Sequence, residues 1–458
     1  MSRSVTILGA GLVGSLLSII LRKKGYDVTV YERRPDMRSA KIAAGRSINL
    51  AMSARGWKAL DLAGLRQDME ALAIPMYGRY LHQAAGTAAF QQYGKNNEAI
   101  YSVSRGELNK KLMSLAEQEG VNIFFEHRCA RVDVAENKVH FEVSGEDKSM
   151  HADLLFGADG AFSALRNSYV HLDRVNASHH YLEHGYKELT IPPHEDGTMR
   201  MEKNALHIWP RKNFMLIALP NTDGTFTCTL FLPFEGENSF ANLKTEEDVL
   251  KFFNTHFPDA VPLMPTLLED FFGNPTSSLI TTHIKPWHYQ DKSALIGDAA
   301  HAIVPFYGQG MNAGFEDCSV LSGLIDEYGT DWTRVLNEYD QKRKPNGDAV
   351  AQLALLNFIE MRDKVADPDF LQRKKIEKEL GKLYPSEFIS VYEMVSFSHI
   401  PYDTALHCIH AQDALLRQIM KEGDFFENIN TNGFSEKLGN WIKEYRSSVQ
   451  ELDFGNEG

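Results

Sequence analysis

Three short runs of glycine and acid are the residues best suited to chemistry in this chain. The first is Gly9-Ala-Gly11-Leu-Val13-Gly14. Its first glycine permits a tight turn, its second lets backbone approach a pyrophosphate, and its third lets a helix lie close on a strand. The helix N-terminus beyond it supplies N–H donors and partial positive charge to phosphates. Glu32 ends the next apolar run, placed to accept hydrogen bonds from a ribose diol. An acid there argues against a 2′-phosphate, so the expected dinucleotide is FAD or NAD rather than NADPH. The second run, Gly157-Ala-Asp159-Gly160 through Arg166, reads by itself as a strand ending in a turn capped by Asp159. The third is Gly297-Asp298-Ala-Ala-His301, followed by Gly308-Gln-Gly310-Met311-Asn312. Here an apolar run delivers an acid to its C-terminal end and a glycine-rich loop opens a helix. Ligands of open α/β sheets bind at strand C-termini. A helix N-terminus at that point can stabilise negative charge on a reduced flavin ring.

These runs need elements to hold them. Residues 4–8 read as a buried strand, followed by a glycine turn, an apolar helix to about Lys24, and a strand Asp27–Tyr31. Helical spacing at 107–119 puts Leu108, Leu112 and Leu115 on one side. Strands are expected at Val121–Glu126, Val139–Val143, 153–157 and 293–297. Ala205–Trp209, Phe214–Leu219 and Phe226–Leu232 read as three successive strands joined by turns. In the third, Thr227, Thr229 and Phe231 share one face, and Phe226, Cys228, Leu230 and Leu232 the other. From about Glu316 onward the pattern is mostly helical. The fold class expected is α/β: a Rossmann-like nucleotide domain built from separated segments, an antiparallel β-sheet domain, and a C-terminal helical part.

Composition narrows the function. The 458 residues carry 48 Lys and Arg against 61 Asp and Glu, a net charge of −13. Nucleic acids and anionic membranes require a basic footprint that this balance lacks. An anionic substrate would need a locally placed arginine. Cys129, Cys228, Cys318 and Cys408 are far apart, with no CxxC pair, which suits a reducing, cytoplasmic setting and argues against a disulfide framework or zinc ribbon. The longest apolar stretch near the start, Leu12–Leu21, is far shorter than the roughly 20 residues a membrane span needs. His180-x-x-x-His184 has helical metal spacing but no third ligand, and reads as a solvated loop. Arg22-Lys23-Lys24 and Arg373-Lys374-Lys375 read as solvated helix faces. No metal site is expected.

The three glycine and acid runs, in this order, resemble the class A FAD-dependent monooxygenases. Further blocks resemble, within that class, the kynurenine 3-monooxygenase family: Gly45-Arg46-Ser47-Ile48-Asn49-Leu50, Gly78-Arg79, Tyr186-Lys187-Glu188-Leu189, Asn204 to Pro210, Val304 to Asn312, Asn357-Phe-Ile-Glu-Met361 and Met394 to Phe397. The blocks extend to about residue 402, and the last fifty or so residues are the least covered. The resemblance implies bound FAD, with NADPH and O2 as co-substrates, and hydroxylation of L-kynurenine to 3-hydroxy-L-kynurenine in tryptophan degradation towards NAD biosynthesis. It divides the chain into an FAD-binding domain (1–70, 96–175 and 285–345), a substrate sheet domain (71–95 and 176–284) and a helical domain (346–458). Gly9, Gly11, Val13, Gly14, Glu32 and Arg33 would hold the adenosine half of FAD. Arg46, Arg105, Asp159 and Asp298 belong to the same cofactor set, with Arg105 and Asp298 at the ribityl and pyrophosphate. Gly310, Met311 and Asn312 would sit at the flavin ring. Arg79, Tyr93, Asn357 and Tyr392 would hold the amino-acid end of kynurenine, Phe231, Phe306 and Met361 would line the ring pocket, and Glu360 would sit beside them. Mitochondrial members carry a C-terminal membrane helix that this tail, polar and charged, lacks, so a soluble bacterial type is expected. Monomer and homodimer both stay open.

The residues support part of this directly. A carboxylate is planar, and the Arg79 fork matches it. Asn357, Glu360 and Met361 fall on one helix face at i, i+3 and i+4. Taken alone, that face reads as an ordinary buried helix, Arg79 as a surface arginine, and Tyr93 and Tyr392 as packing residues. The substrate's own ring amine activates the carbon to be oxidised, so no obligatory protein base is expected. The competing readings are a class A hydroxylase acting on a phenolic acid, a FAD-dependent reductase or halogenase that does not hydroxylate, and a non-catalytic nucleotide-binding module. No lysine with a tryptophan-rich motif supports the halogenase.

Overall fold

Ser4–Leu8 lies at the centre of a six-stranded sheet, paired in parallel with Asp27–Tyr31 on one side and Leu154–Gly157 on the other. Ser293–Leu295 continues the sheet in parallel beyond Leu154–Gly157. These strands are apolar on both faces, as parallel strands covered by helices must be. Their C-terminal ends carry Gly9, Glu32, Asp159 and Gly297, so the pairing alone gathers the three glycine and acid runs onto one edge. The computed structural model describes residues 4–39, 49–83, 86–94, 97–361 and 368–450. Arg46 lies outside the described residues.

The second sheet has seven strands, in the order Ser277–Lys285, Asn176–Ile191, Phe226–Pro233, Phe214–Pro220, Ala205–Arg211, Gly78–His82 and Ala88–Gln92. The alternation read along Phe226–Leu232 decides what each face meets. Phe226, Cys228, Leu230 and Leu232 bury against Phe252, Phe253 and Phe257 in one core. Each such side chain contributes roughly 1.5–3 kcal/mol over exposure. Thr229 and Phe231 face the other way, into a cavity. Only the three middle strands of this sheet were read from sequence; Ser277–Lys285, Asn176–Ile191, Ala88–Gln92 and Gly78–His82, which carries Arg79, escaped it.

Other boundaries shift for local reasons. The strand expected at Val121–Glu126 is only Asn122–Phe124, since Glu126 takes a left-handed φ of 58°. Helix starts before Glu316, at Gly310, and runs to Tyr328. His180 and His184 lie on the strand Asn176–Ile191, not in a solvated loop. His184 is buried, its Nε2 lying 2.8 Å from the Asn213 carbonyl oxygen. Among the described residues no three His, Cys, Asp or Glu side chains gather as a metal site.

The C-terminal part packs Trp332–Ile359, Val391–Phe397, Tyr402–Lys421 and Asn432–Ser448 around Leu353, Phe388, Val395, Tyr402 and Leu416. The short helix Val391–Phe397 starts at a capping box. Ser390 Oγ accepts the Glu393 N–H at 3.3 Å, and Glu393 Oε2 accepts the Ser390 N–H at 3.0 Å. Among the described residues no helix is long and apolar enough to cross a membrane.

Candidate active site

The nucleotide end is made almost entirely of backbone. Gly9 has a φ of +98°, and a Cβ there would come within 2.6 Å of the Ala158 carbonyl oxygen. A Cβ at Gly14 would lie 2.0 Å from the Gly9 carbonyl oxygen. Both glycines are therefore required by the protein's own packing. Gly11 differs: a Cβ there would meet nothing within 4 Å. Its bareness serves an approaching ligand rather than the fold. The helix Leu12–Lys23 begins at Gly11 with no side-chain cap, so its first N–H donors are free for an anion. Glu32 Oε2 accepts the Ala10 N–H at 2.9 Å, and Oε1 accepts the Arg34 N–H at 3.0 Å. Each oxygen keeps a lone pair for a ribose. Arg33, next along the chain, is exposed.

The other two runs close on this turn. Asp159 Oδ2 accepts the Ala164 N–H at 2.7 Å, which is the cap read from sequence, while its buried Oδ1 has no partner. Burial pushes the Asp159 carboxyl upward, against the hydrogen bonds it accepts. Gly297 has a φ of +62°, and it and Gly314 lie against the Val13 side chain, which wedges between them. Asp298 and the exposed Arg105 have no hydrogen-bond partner among the described residues. The helix Gly310–Tyr328 opens without a side-chain cap, leaving the N–H groups of Gly310, Met311 and Asn312 without helical acceptors. The Asn312 side chain is wholly occupied by protein. Its Nδ2 donates to the carbonyls of Ala51 and Gly308, both at 2.8 Å, and its Oδ1 accepts the Ser53 N–H at 2.9 Å. What Asn312 can offer a flavin ring is backbone. Two uncapped helix N-termini, an open glycine and unpartnered acids fit FAD.

Beside the Gly308–Asn312 loop lies a partly open cavity. It is lined by seven of the eight substrate residues named above: Arg79, Tyr93, Phe231, Phe306, Asn357, Met361 and Tyr392. The eighth, Glu360, does not line it. Glu360 keeps helical backbone, its N–H donating to the Leu356 and Asn357 carbonyls, and its carboxylate turns to Lys374 at 3.5 Å. Lys374 also meets Glu377 at 3.1 Å, so it is an ion-paired residue and not the solvated face expected. Burial would lower the Lys374 ammonium, but the charges of Glu377 and Glu360 outweigh it and hold it above the usual range.

Among the described residues Arg79 is the only charged one lining the cavity. Its Nε donates to Gln91 Oε1 at 3.1 Å, and among the described residues it meets no carboxylate. Three tyrosines surround its charge. Tyr93 and Tyr392 stack at 5.4 Å, and Tyr307 stacks on Tyr392 at 5.9 Å. Burial pushes all three hydroxyls upward, although the Arg79 charge works against it. Asn357 Nδ2 donates to the Phe306 carbonyl at 2.7 Å. Phe306 stacks on Phe358 at 4.0 Å and meets Phe231 at 4.9 Å, forming an apolar wall. Tyr186, Thr229, Asn49 and Tyr307 also line the cavity and were given no role from sequence. Strand register could have found Tyr186, which pairs directly with Phe231. No spacing signals Asn49 or Lys374.

A family model described as FAD binding domain matches residues 2–354. The kynurenine 3-monooxygenase of Christiangramia forsetii is 49% identical over 96% of this chain and 99% of its own length. That of Dictyostelium discoideum is 46% identical over 93% of this chain and 94% of its own. The chain belongs to the kynurenine 3-monooxygenase family. Solved structures add the fold. A 2-methyl-3-hydroxypyridine-5-carboxylic acid oxygenase superposes with a TM-score of 0.65 at 21% identity, covering 81% of this chain and 95% of its own. The family's FAD-binding monooxygenase fold, α/β with an antiparallel sheet and C-terminal helices, is the one expected.

Proposed function

We propose that this chain is an FAD-dependent monooxygenase that uses NADPH and O2 to hydroxylate L-kynurenine to 3-hydroxy-L-kynurenine, and that it works in the cytoplasm. The observation that carries the substrate reading is Arg79: one unpaired guanidinium in a cavity otherwise walled by aromatic, aliphatic and neutral polar groups. A bidentate carboxylate is the natural counter-ion. Tyr93, Tyr392 and Asn357 would orient the amino-acid end without adding charge, and Phe231, Phe306 and Met361 would enclose the aromatic ring. Glu360 would act from behind, through Lys374. Backbone donors at Gly11–Val13 and Gly310–Asn312, with Glu32, Asp298, Arg105 and Asp159, would hold the cofactor. FAD, when bound, would pass two electrons from NADPH to O2, so that one oxygen atom enters the ring and the other leaves as water. The four cysteines are free, in keeping with a reducing compartment.

The same lining favours kynurenine over a phenolic acid. A phenol must lose its proton to become reactive, and that calls for a base ionising near neutral pH. Among the described residues the lining holds no histidine, carboxylate, lysine or thiol, and burial keeps Tyr93, Tyr307 and Tyr392 protonated. An aromatic amine needs no such base. The test is direct. The purified protein should be yellow and release FAD, its NADPH oxidation should rise with kynurenine, and the product should be the 3-hydroxy compound. Stimulation by phenolic acids with none by kynurenine would overturn the reading.

A further inference from the structure

Arg55 belongs to neither end of the site, yet it is completely buried between them. It sits in the first turn of the helix Ala54–Leu62, just after the strand Asn49–Met52 that runs past the flavin loop. Its guanidinium reaches across to the C-terminal helices. Nη2 donates to the carbonyls of Ile400 and, at 3.3 Å, of Met394. Nε donates to the Val395 carbonyl at 3.4 Å. Met394 and Val395 belong to the last turn of the helix Val391–Phe397, whose terminal carbonyls have no partners within the helix. Arg55 is thus a C-terminal cap supplied from another part of the fold. A cation there also suits the helix dipole.

That capped helix carries Tyr392. At seven residues it is too short to hold itself. The Ser390–Glu393 capping box fixes its start, and Arg55 holds its end together with Ser398, whose Oγ donates to the Met394 carbonyl at 2.7 Å. Tyr392 meets Tyr93, Tyr307 and Phe397 inside the cavity, so its position follows the seating of the helix. Arg55 is itself held firmly. Nη1 pairs with Glu316, which also takes Arg343 Nη1 at 2.6 Å. Arg343 Nε donates to Asp317 Oδ1 at 2.6 Å, and Asp317 Oδ2 accepts the Gly297 N–H at 3.0 Å. The Arg55 guanidinium lies 4.0 Å over the Tyr402 ring, and the Tyr402 hydroxyl donates to Gln309 Oε1 at 2.9 Å. Gln309 immediately precedes the flavin-loop helix. One continuous polar path therefore joins the Gly297 turn to the helix bearing Tyr392.

We infer that Arg55 is a positioning residue for the substrate: by capping the helix Val391–Phe397 from the nucleotide side, it sets Tyr392 against the amino-acid end of kynurenine. The inference rests on the proposed function above. A lysine keeps the charge but has no fork that can reach Glu316 and three carbonyls together. Arg55→Lys is therefore expected to keep its FAD and lose kynurenine affinity by about tenfold, the loss typical of a charge-assisted hydrogen bond. Amide exchange over residues 391–400 should speed up even without ligand. In a Tyr392→Phe background the Arg55→Lys loss should largely disappear, because both act through one contact. A merely structural weakening would add in full.

Unchanged affinity, unchanged exchange, or full additivity overturns the inference. If Arg55→Lys does not fold, Glu316→Gln is read the same way, since it leaves the guanidinium in place but removes the charge that fixes it. If the parent protein itself fails to bind kynurenine, the proposed function falls; exchange over 391–400 then still decides whether Arg55 seats the helix.

Discussion

The two ends of the site are built from different materials. The nucleotide end is backbone: bare glycines, two uncapped helix starts and a few acids, each within a run of a few residues. The substrate end is side chain. Arg79 and Phe231 come from different strands of one sheet, Phe306 from the flavin loop, Asn357 from a long helix and Tyr392 from a short one. A backbone site tolerates no change at its turns but is indifferent to most side chains around it. A side-chain site can lose one contact and survive with weaker binding. The two ends should therefore break differently.

The largest break is at the nucleotide end, and two neighbouring glycines should split it. Gly14→Ala places a methyl 2.0 Å from a backbone oxygen that cannot move aside. Overpacking of that kind costs about 3 kcal/mol or more, and we expect little folded protein. Gly11→Val puts its side chain into open space. It should fold normally, with the melting profile of the FAD-free parent, and yet bind no FAD. Circular dichroism and flavin absorbance on the two variants check this. FAD retained in Gly11→Val would mean that the cofactor does not approach this turn.

At the substrate end the expected loss is smaller and leaves the cofactor alone. Removing one partner of a desolvated charge pair typically costs about 2–5 kcal/mol. Arg79→Ala should therefore raise the kynurenine dissociation constant by roughly 30-fold or more with unchanged FAD content. A kynurenine analogue lacking the carboxylate should lose as much with the parent and nothing further with the variant. Full additivity of the two losses would return Arg79 to the role of a surface arginine.

This contrast also explains what the sequence made legible. Gly9, Gly14, Glu32 and Asp298 stood out because motif and site are the same few residues. Arg79, Asn357 and Tyr392 carry no local mark, and only resemblance singled them out. The strand Gly78–His82 is half-buried and short, so its alternation is faint, and it went unread along with its partner Ala88–Gln92. Lys374 was misread because its neighbours in sequence point to water while it turns to Glu360 and Glu377. Asn312 was expected at the flavin ring; its side chain is spent on Ala51, Ser53 and Gly308, which leaves its backbone for that role. Glu360 has the helical backbone its spacing implied, but its carboxylate is spent on Lys374 and not on the cavity.

Asn357→Ala should give a smaller effect. Its amide holds the Phe306 carbonyl and borders the cavity. Loss of an ordinary hydrogen bond costs about 1 kcal/mol, so affinity should fall several-fold while FAD stays bound. Isothermal titration with kynurenine would measure it, and an unchanged constant would remove Asn357 from the substrate set.

The smallest expected effect is an absence of pH dependence, and it tests the chemistry most closely. Among the described residues the cavity lining offers no histidine, carboxylate, lysine or thiol. Burial pushes the Tyr93, Tyr307 and Tyr392 hydroxyls above the ordinary value near 10. They hold their protons throughout the neutral range. Between pH 6 and 8 the kynurenine dissociation constant should change by less than about twofold, because no proton is taken up or released by the lining. At higher pH the sign is fixed. Once tyrosines in the unfolded chain begin to ionise near pH 10, the buried three still bind their protons, so the folded state holds more protons and stability falls as pH rises. Tyr93→Phe, Tyr307→Phe and Tyr392→Phe together should soften that alkaline fall without creating a slope near neutrality. A change of about tenfold per pH unit between 6 and 8 would reveal an ionising group against the substrate. The cavity would then supply the base that a phenolic substrate requires, and the case for an aromatic amine would lose its chemical support.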